Sequence, residues 1–213
     1  MRADWLPVNG VNSLILKRCA RLCLALLGFT AIAVQLSIHA RMGFSLVNFF
    51  SYFTNLSNLL AAGVLAWSGS GLDCPDEVRA QSTVNMTVVG LVFAALLRDV
   101  DLGALLPWVN VVLHYVMPCA VVLDWLLFPP NPTLGDRRGS FLLVFPSVYL
   151  GYVLVRGAAT GWYPYPFLNP VHAGGAIGVA GYAAGIAATF LLVGWALLSV
   201  GTKTKSRRNA ANG

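Results

Sequence analysis

The sequence predicts an all-α, polytopic integral membrane protein, with six transmembrane helices making a single domain over residues 1–213. Two observations carry that expectation. The chain is 57% hydrophobic and only 10% charged, whereas soluble domains carry about 25% charged residues. Those charges are also clustered, leaving apolar windows at about 22–38, 46–67, 81–97, 108–128, 139–155 and 172–200. A helix that crosses a bilayer needs about 20 mostly apolar residues, and each window approaches or exceeds that length. Period-two alternation is absent, which argues against a β-barrel. No sizeable soluble domain fits in the remainder.

The first window follows Lys17, Arg18 and Arg21, as the core of a signal peptide would. It ends in "LSIHARMG" without a small-x-small cleavage pattern, so it reads as a retained helix. The connections "SGSGLDCPDEVRA" and "PPNPTLGDR" are short and rich in Gly, Pro and Asp, the chemistry of turns. The connection "RGAATGWYPYPFLNPVH", 156–172, is longer and aromatic. It reads either as an interfacial aromatic belt or as a semi-rigid cap over a cavity, since its prolines fix φ and remove amide donors. Gly174, Gly178, Gly181 and Gly185 in the last window have the small-xxx-small spacing of close helix packing.

Orientation follows from Lys and Arg placement. With the N-terminus inside, Arg2, Lys17, Arg18, Arg21, Arg79, Arg137, Arg138, Lys203, Lys205, Arg207 and Arg208 face the cytoplasm, against Arg41, Arg98 and Arg156 outside. Both termini are therefore expected in the cytoplasm of a multi-pass cell-membrane protein. The net charge of +6 needs no nucleic-acid partner, because the basic tail "KTKSRR" suits anionic lipid heads. Cys19, Cys23, Cys74 and Cys119 form no CxxC pair and read as reduced thiols packed as small apolar groups.

The second window carries the chemistry. "NFFSYFTNLSNLL", 48–60, holds Asn48, Ser51, Thr54, Asn55, Ser57 and Asn58 within eleven residues. On one continuous helix these six fall around one half of the wheel, joined only by Phe50. Polar groups inside a bilayer must look inward. Interhelical hydrogen bonding accounts for two or three of them; six imply a polar pocket. The fourth window, "PWVNVVLHYVMPCAVVLDWLL", supplies a second wall, with Asn110 and His114 four apart on one face. Asp124 lies roughly 15 Å further along the axis, out of reach of His114. Thr54 and His114 come to roughly 12 Å and 9 Å from the same membrane face. A hydroxyl becomes a nucleophile when a base stands within hydrogen-bond reach, and His is the commonest base.

"FFSYFTNLSNLL", "WVNVVLHYVMP" and "GWYPYPFLNP", in that order on six hydrophobic spans, resemble a prokaryotic branch of the androgen-induced and androgen-dependent membrane protein family. The resemblance covers about residues 46–170. It implies an intramembrane threonine hydrolase acting on fatty acid esters of hydroxy fatty acids, and it maps the family's Thr onto Thr54 and its His onto His114. Ser51 and Ser57 are rival hydroxyls on the same segment. Ser51, Asn55, Asn58, Asn110, Arg156, Tyr163 and Tyr165 are the candidates for binding substrate, orienting His114 or holding the oxyanion. Arg156 would pair with a free substrate carboxylate or simply snorkel to the interface. The expected partners are a lipid substrate taken sideways from the bilayer and the membrane lipids themselves, with no cofactor and no metal. Two other classes compete: a protein that binds or moves a lipid or small molecule without chemistry, and a zinc hydrolase using His39, His114 and His172.

Overall fold

The structure, a computed structural model, describes residues 8–100, 103–130 and 139–211. Among these it contains helices and turns and no strand. In chain order the α-helices are α1 (Val8–Arg41), α2 (Leu46–Phe50), α3 (Phe53–Ser70), α4 (Asp76–Val92), α5 (Pro107–Val111), α6 (Met117–Leu127), α7 (Val144–Thr160), α8 (Pro170–Ala173) and α9 (Gly175–Ala211). A π-turn, Phe93–Leu97, extends α4, and a second, Val112–Val116, joins α5 to α6. Five stretches of the described residues are long and apolar enough to cross a membrane: Asn12–Arg41, Asp76–Leu97, Pro107–Leu127, Phe141–Thr160 and Gly175–Val200. The protein is an all-α multi-pass membrane protein.

Two predicted spans differ in form. The segment 46–67 is not one helix but α2 and α3, separated at Ser51 and Tyr52. The last span starts at Gly175, because Gly174 and Gly175 both take a left-handed φ of 83°. Arg2, Arg137 and Arg138, with most of the connection "PPNPTLGDR", lie outside the described residues.

The first helix belongs to the bundle. Ala25, Ala31 and Ile32 of α1 pack with Ala61, Leu65, Met86, Leu113 and Met117 in one apolar core. In the first half of α1, Arg21 donates to both carboxylate oxygens of Asp124 at 2.6 and 2.8 Å. Arg79 reaches the same carboxylate at 3.5 Å, Asp76 at 3.0 Å and the Phe128 carbonyl at 2.7 Å. Asp124 is thus spent on two arginines, far from His114. Gly71 closes α3 beside this cluster with φ 91°, and a Cβ there would meet the Arg18 guanidinium at 2.6 Å. Replacing Asp124 by asparagine keeps its shape but leaves two buried guanidinium groups without their shared counter-charge. Breaking one side of a buried pair costs about 3–5 kcal/mol. The expected result is a clear fall in Tm of the detergent-solubilised protein; an unchanged Tm would show that the cluster contributes nothing to stability.

Other expectations are corrected. Gly181 and Gly185 of α9 do not bring a neighbouring helix close: a Cβ at either would meet nothing within 4 Å. Gly178, Gly181 and Gly185 instead line an open groove of about 540 Å³ against Leu91, Val92, Ala95 and Leu96 of α4 and its π-turn. Cys74 is buried, and burial pushes its thiol pKa up. Cys19, Cys23 and Cys119 are exposed on the bundle surface rather than packed inside it.

Candidate active site

The break between α2 and α3 places Thr54 in the first turn of a helix. Tyr52, the residue at the N-cap, has φ −78° and ψ 125° and offers no side-chain cap. In an apolar interior, backbone groups freed by such a break must find partners. The Phe49 carbonyl accepts from Asn55 Nδ2 at 2.8 Å, and the Ser51 carbonyl accepts from Tyr149 Oη at 2.9 Å. Ser51 Oγ donates to the Val47 carbonyl at 2.6 Å and lies 2.8 Å from Tyr152 Oη. Polar residues of 48–60 are therefore used largely to sustain the break. The break in turn brings the α3 N-terminus, with its positive dipole end, to the site. The Thr54 N–H donates to Tyr165 Oη at 3.2 Å, and Thr54 Oγ1 lies 3.5 Å from the same phenol.

His114 sits inside the second π-turn, where the Met117 N–H bonds back to the Val112 carbonyl, five residues earlier. π-turns inside α-helices are rare and concentrate at functional sites. His114 Nδ1 lies 3.2 Å from the Asn110 carbonyl. A carbonyl only accepts, so Nδ1 carries the hydrogen and Nε2 of the neutral ring is left as the acceptor. The ring stacks on Phe93 at 4.0 Å and 22°, and Phe93 begins the other π-turn. Asn58 Nδ2 bridges the two walls, donating to the Thr54 carbonyl at 2.9 Å and the Leu113 carbonyl at 3.2 Å.

Thr54 and His114 line one cavity of about 490 Å³. Gln35, His39, Asn48, Asn55, Tyr52, Trp162 and Tyr165 also face it. Trp162, Pro164, Tyr165 and Pro166 come from the 156–172 connection, which is thus a cap over the cavity. No hydrogen bond joins Thr54 Oγ1 to His114 among the described residues; catalytic hydrogen bonds commonly tighten only around substrate. Among the described residues no carboxylate lines the cavity, and the hydrogen-bond partner of the imidazole there is the Asn110 backbone carbonyl. Arg156 stands just behind the rim, donating to Asn48 Oδ1 at 2.6 Å with its guanidinium 4.8 Å from the Trp162 ring centre.

Several candidates are brought elsewhere. Ser51 and Ser57 are fully buried and line neither this cavity nor its neighbour. Asn58 has both amide hydrogens on carbonyls, so it braces α3 against the His114 turn and has none left for an oxyanion. Asn110 acts on His114 through its backbone, not its side chain. Tyr163 packs on α7, where a Cβ at Gly157 would meet its ring at 2.0 Å. The three-histidine zinc arrangement does not form: His172 is exposed in α8 and away from the cavity, while His39 Nε2 lies against the Ser45 carbonyl at 3.1 Å. Among the described residues no three His, Cys, Asp or Glu converge. Sequence reasoning missed Phe93, which carries no polar signal, and Gln35, which does. Gln35 bridges to the Ala104 carbonyl at 2.9 Å and the Leu106 N–H at 3.1 Å, pinning the 103–106 rim to α1.

A second cavity, of about 110 Å³, adjoins the first. Thr54, Leu97 and Tyr165 line both. The family model described as FAR-17a/AIG1-like protein matches residues 85–198, a stretch that contains His114, Arg156 and Tyr165 and starts after Thr54. No curated protein and no solved structure matches the chain.

Proposed function

The chain belongs to the FAR-17a/AIG1-like protein family, and we propose from that premise that it is an intramembrane lipid ester hydrolase with Thr54 as nucleophile and His114 as general base. One observation carries the reading: a hydroxyl in the first turn of a helix and an imidazole with a free Nε2 share one buried cavity inside a membrane protein. The expected substrates are fatty acid esters of hydroxy fatty acids, drawn from the bilayer.

Thr54 Oγ1 attacks the ester carbonyl as His114 Nε2 takes its proton. The tetrahedral intermediate collapses by breaking the bond to the alkoxy oxygen, which leaves as the alcohol with the proton from Nε2. Water then attacks the acyl-threonine, with His114 again as base; the bond to Oγ1 breaks, the hydroxyl is restored and a carboxylic acid departs. The Asn110 carbonyl stabilises the imidazolium formed in each half. Tyr165 Oη, which accepts from the Thr54 N–H, keeps its own hydrogen to donate to the oxyanion. Burial raises the Tyr165 pKa, so the phenol stays a donor through the neutral range. Arg156 places positive charge at the rim, where a free carboxylate on the substrate would pair.

The test is a panel of lipid esters offered to purified protein, with fluorophosphonate labelling and mapping of the modified residue. Modification at Thr54 supports the reading. Purified, folded protein that hydrolyses no ester would instead favour a site that only binds or moves lipid. Tyr165→Phe is expected to lower kcat about a hundredfold, the scale of losing one oxyanion donor, while labelling at Thr54 persists; an unchanged kcat would remove Tyr165 from the mechanism. We also place the cavity mouth and the 156–172 cap on the external face, with both termini cytoplasmic, as the eleven-to-three split of basic residues requires. A reporter fused after Gly213 that is active only outside the cell would overturn that orientation.

A further inference from the structure

The two adjoining cavities divide the substrate between them, and this division rests on the Thr54–His114 reading above. Their chemistry differs. The larger carries most of the polar side chains and His114; the smaller is walled mainly by apolar residues such as Phe53, Val88, Val92, Leu143, Ala183 and Phe190, and His114 does not reach it. Thr54 and Tyr165 stand in the shared wall. In the tetrahedral intermediate four groups surround one carbon: Oγ1, the oxyanion, the alkoxy oxygen and the acyl chain. His114 must protonate the alkoxy oxygen as it leaves, so the alcohol part has to lie on the His114 side. The acyl chain projects away from that oxygen, toward the other side of Thr54. We infer that the acyl part of the ester occupies the smaller cavity and the alcohol part the larger one.

The smaller cavity is too small for a long chain on its own. An engineered cavity of 150 Å³ holds a molecule the size of benzene, and this one has about 110 Å³. Its lining includes Ser147 of α7 and Ala187 of α9, both exposed on the bundle surface. The backbones of α7 and α9 do not pack closely against each other, so the cavity opens between these helices toward the lipid. The first carbons of the acyl chain lie inside, and the rest runs out between α7 and α9 into the bilayer. Acyl selectivity therefore belongs to the α7–α9 gap, and alcohol selectivity to the capped cavity.

Two measurements on the full chain in lipid nanodiscs test this. The first compares acetyl and long-chain acyl esters of one alcohol. Ala187→Phe and Ser147→Phe, which add bulk at exposed positions, are expected to lower the ratio of kcat/KM for the long acyl ester to that for the acetate about tenfold or more. An unchanged ratio in both variants would overturn the division. The second needs no variant. A long-chain ester carrying a diazirine on its acyl chain is expected to crosslink peptides of α7 and α9, and one carrying it on the alcohol to crosslink the 35–55 and 103–114 segments. The reverse pattern would overturn the division. Wild-type protein that hydrolyses these esters in a Thr54-dependent way but crosslinks in reverse loses only the division; protein that hydrolyses none of them loses the catalytic reading itself.

Discussion

Thr54→Ala is expected to reduce ester turnover by at least about a thousandfold, the scale on which losing a nucleophile acts, while Ser51→Ala and Ser57→Ala retain turnover. The contrast is set by where each hydroxyl stands. Ser51 Oγ is held between the Val47 carbonyl and Tyr152 Oη. Ser57 is fully buried away from both cavities. Thr54 alone among the three faces the cavity that holds His114. Thr54→Ser keeps the hydroxyl at the helix start and is expected to retain a measurable fraction of kcat. Ser51→Ala has its own readout: it removes a brace from the α2–α3 break, so a lower Tm with largely preserved kcat/KM is the expected pattern. If Ser57→Ala abolished turnover and Thr54→Ala did not, the nucleophile would lie one helical turn away and the cavity would not be the active site.

The apolar spans were legible because bilayer thickness imposes them on composition. Asp124 was legibly remote from His114, since ten residues of helix cannot be folded away, and Arg21 and Arg79 hold it at the opposite end. The shared cavity of Thr54 and His114 followed from comparable depths. The α2–α3 break was not legible. No proline or glycine marks "NFFSYFTN", and the partners that make the break tolerable, Tyr149 and Tyr152, come from 98 and 101 residues further on. For the same reason a single wheel over 48–60 assigned six polar residues to one pocket. Asn48, Thr54 and Asn55 reach the cavity, whereas Ser51 and Asn58 serve backbone carbonyls. The π-turns were equally hidden, because "FAALL" and "VLHYV" read as ordinary helix. Glycines at small-xxx-small spacing look the same whether a neighbouring helix fills the groove, as expected, or leaves it open, as found.

His114→Ala is expected to match Thr54→Ala in effect, and the double variant to be little worse than either, since residues acting as one unit are not additive. A structural role would also lower activity, so two further readouts separate the cases. The first is pH. The base works only as neutral imidazole, whose ordinary pKa is about 6.5. Turnover by the wild type should therefore fall as acid protonates the ring and stay level from neutrality upward. Any residual turnover of His114→Ala should lack that acidic limb. The second is rescue. The cavity is wide enough to admit a small base, and truncating His114 enlarges it beside Phe93, whose exposed ring face can stack on a new imidazole as it does on the native one. Added imidazole should raise kcat of His114→Ala at least about tenfold, in proportion to its unprotonated fraction, and should do nothing for Thr54→Ala. A folded His114→Ala that imidazole does not rescue, and whose residual turnover keeps the wild-type acidic limb, would remove the imidazole from the proton transfers and leave Thr54 without its base.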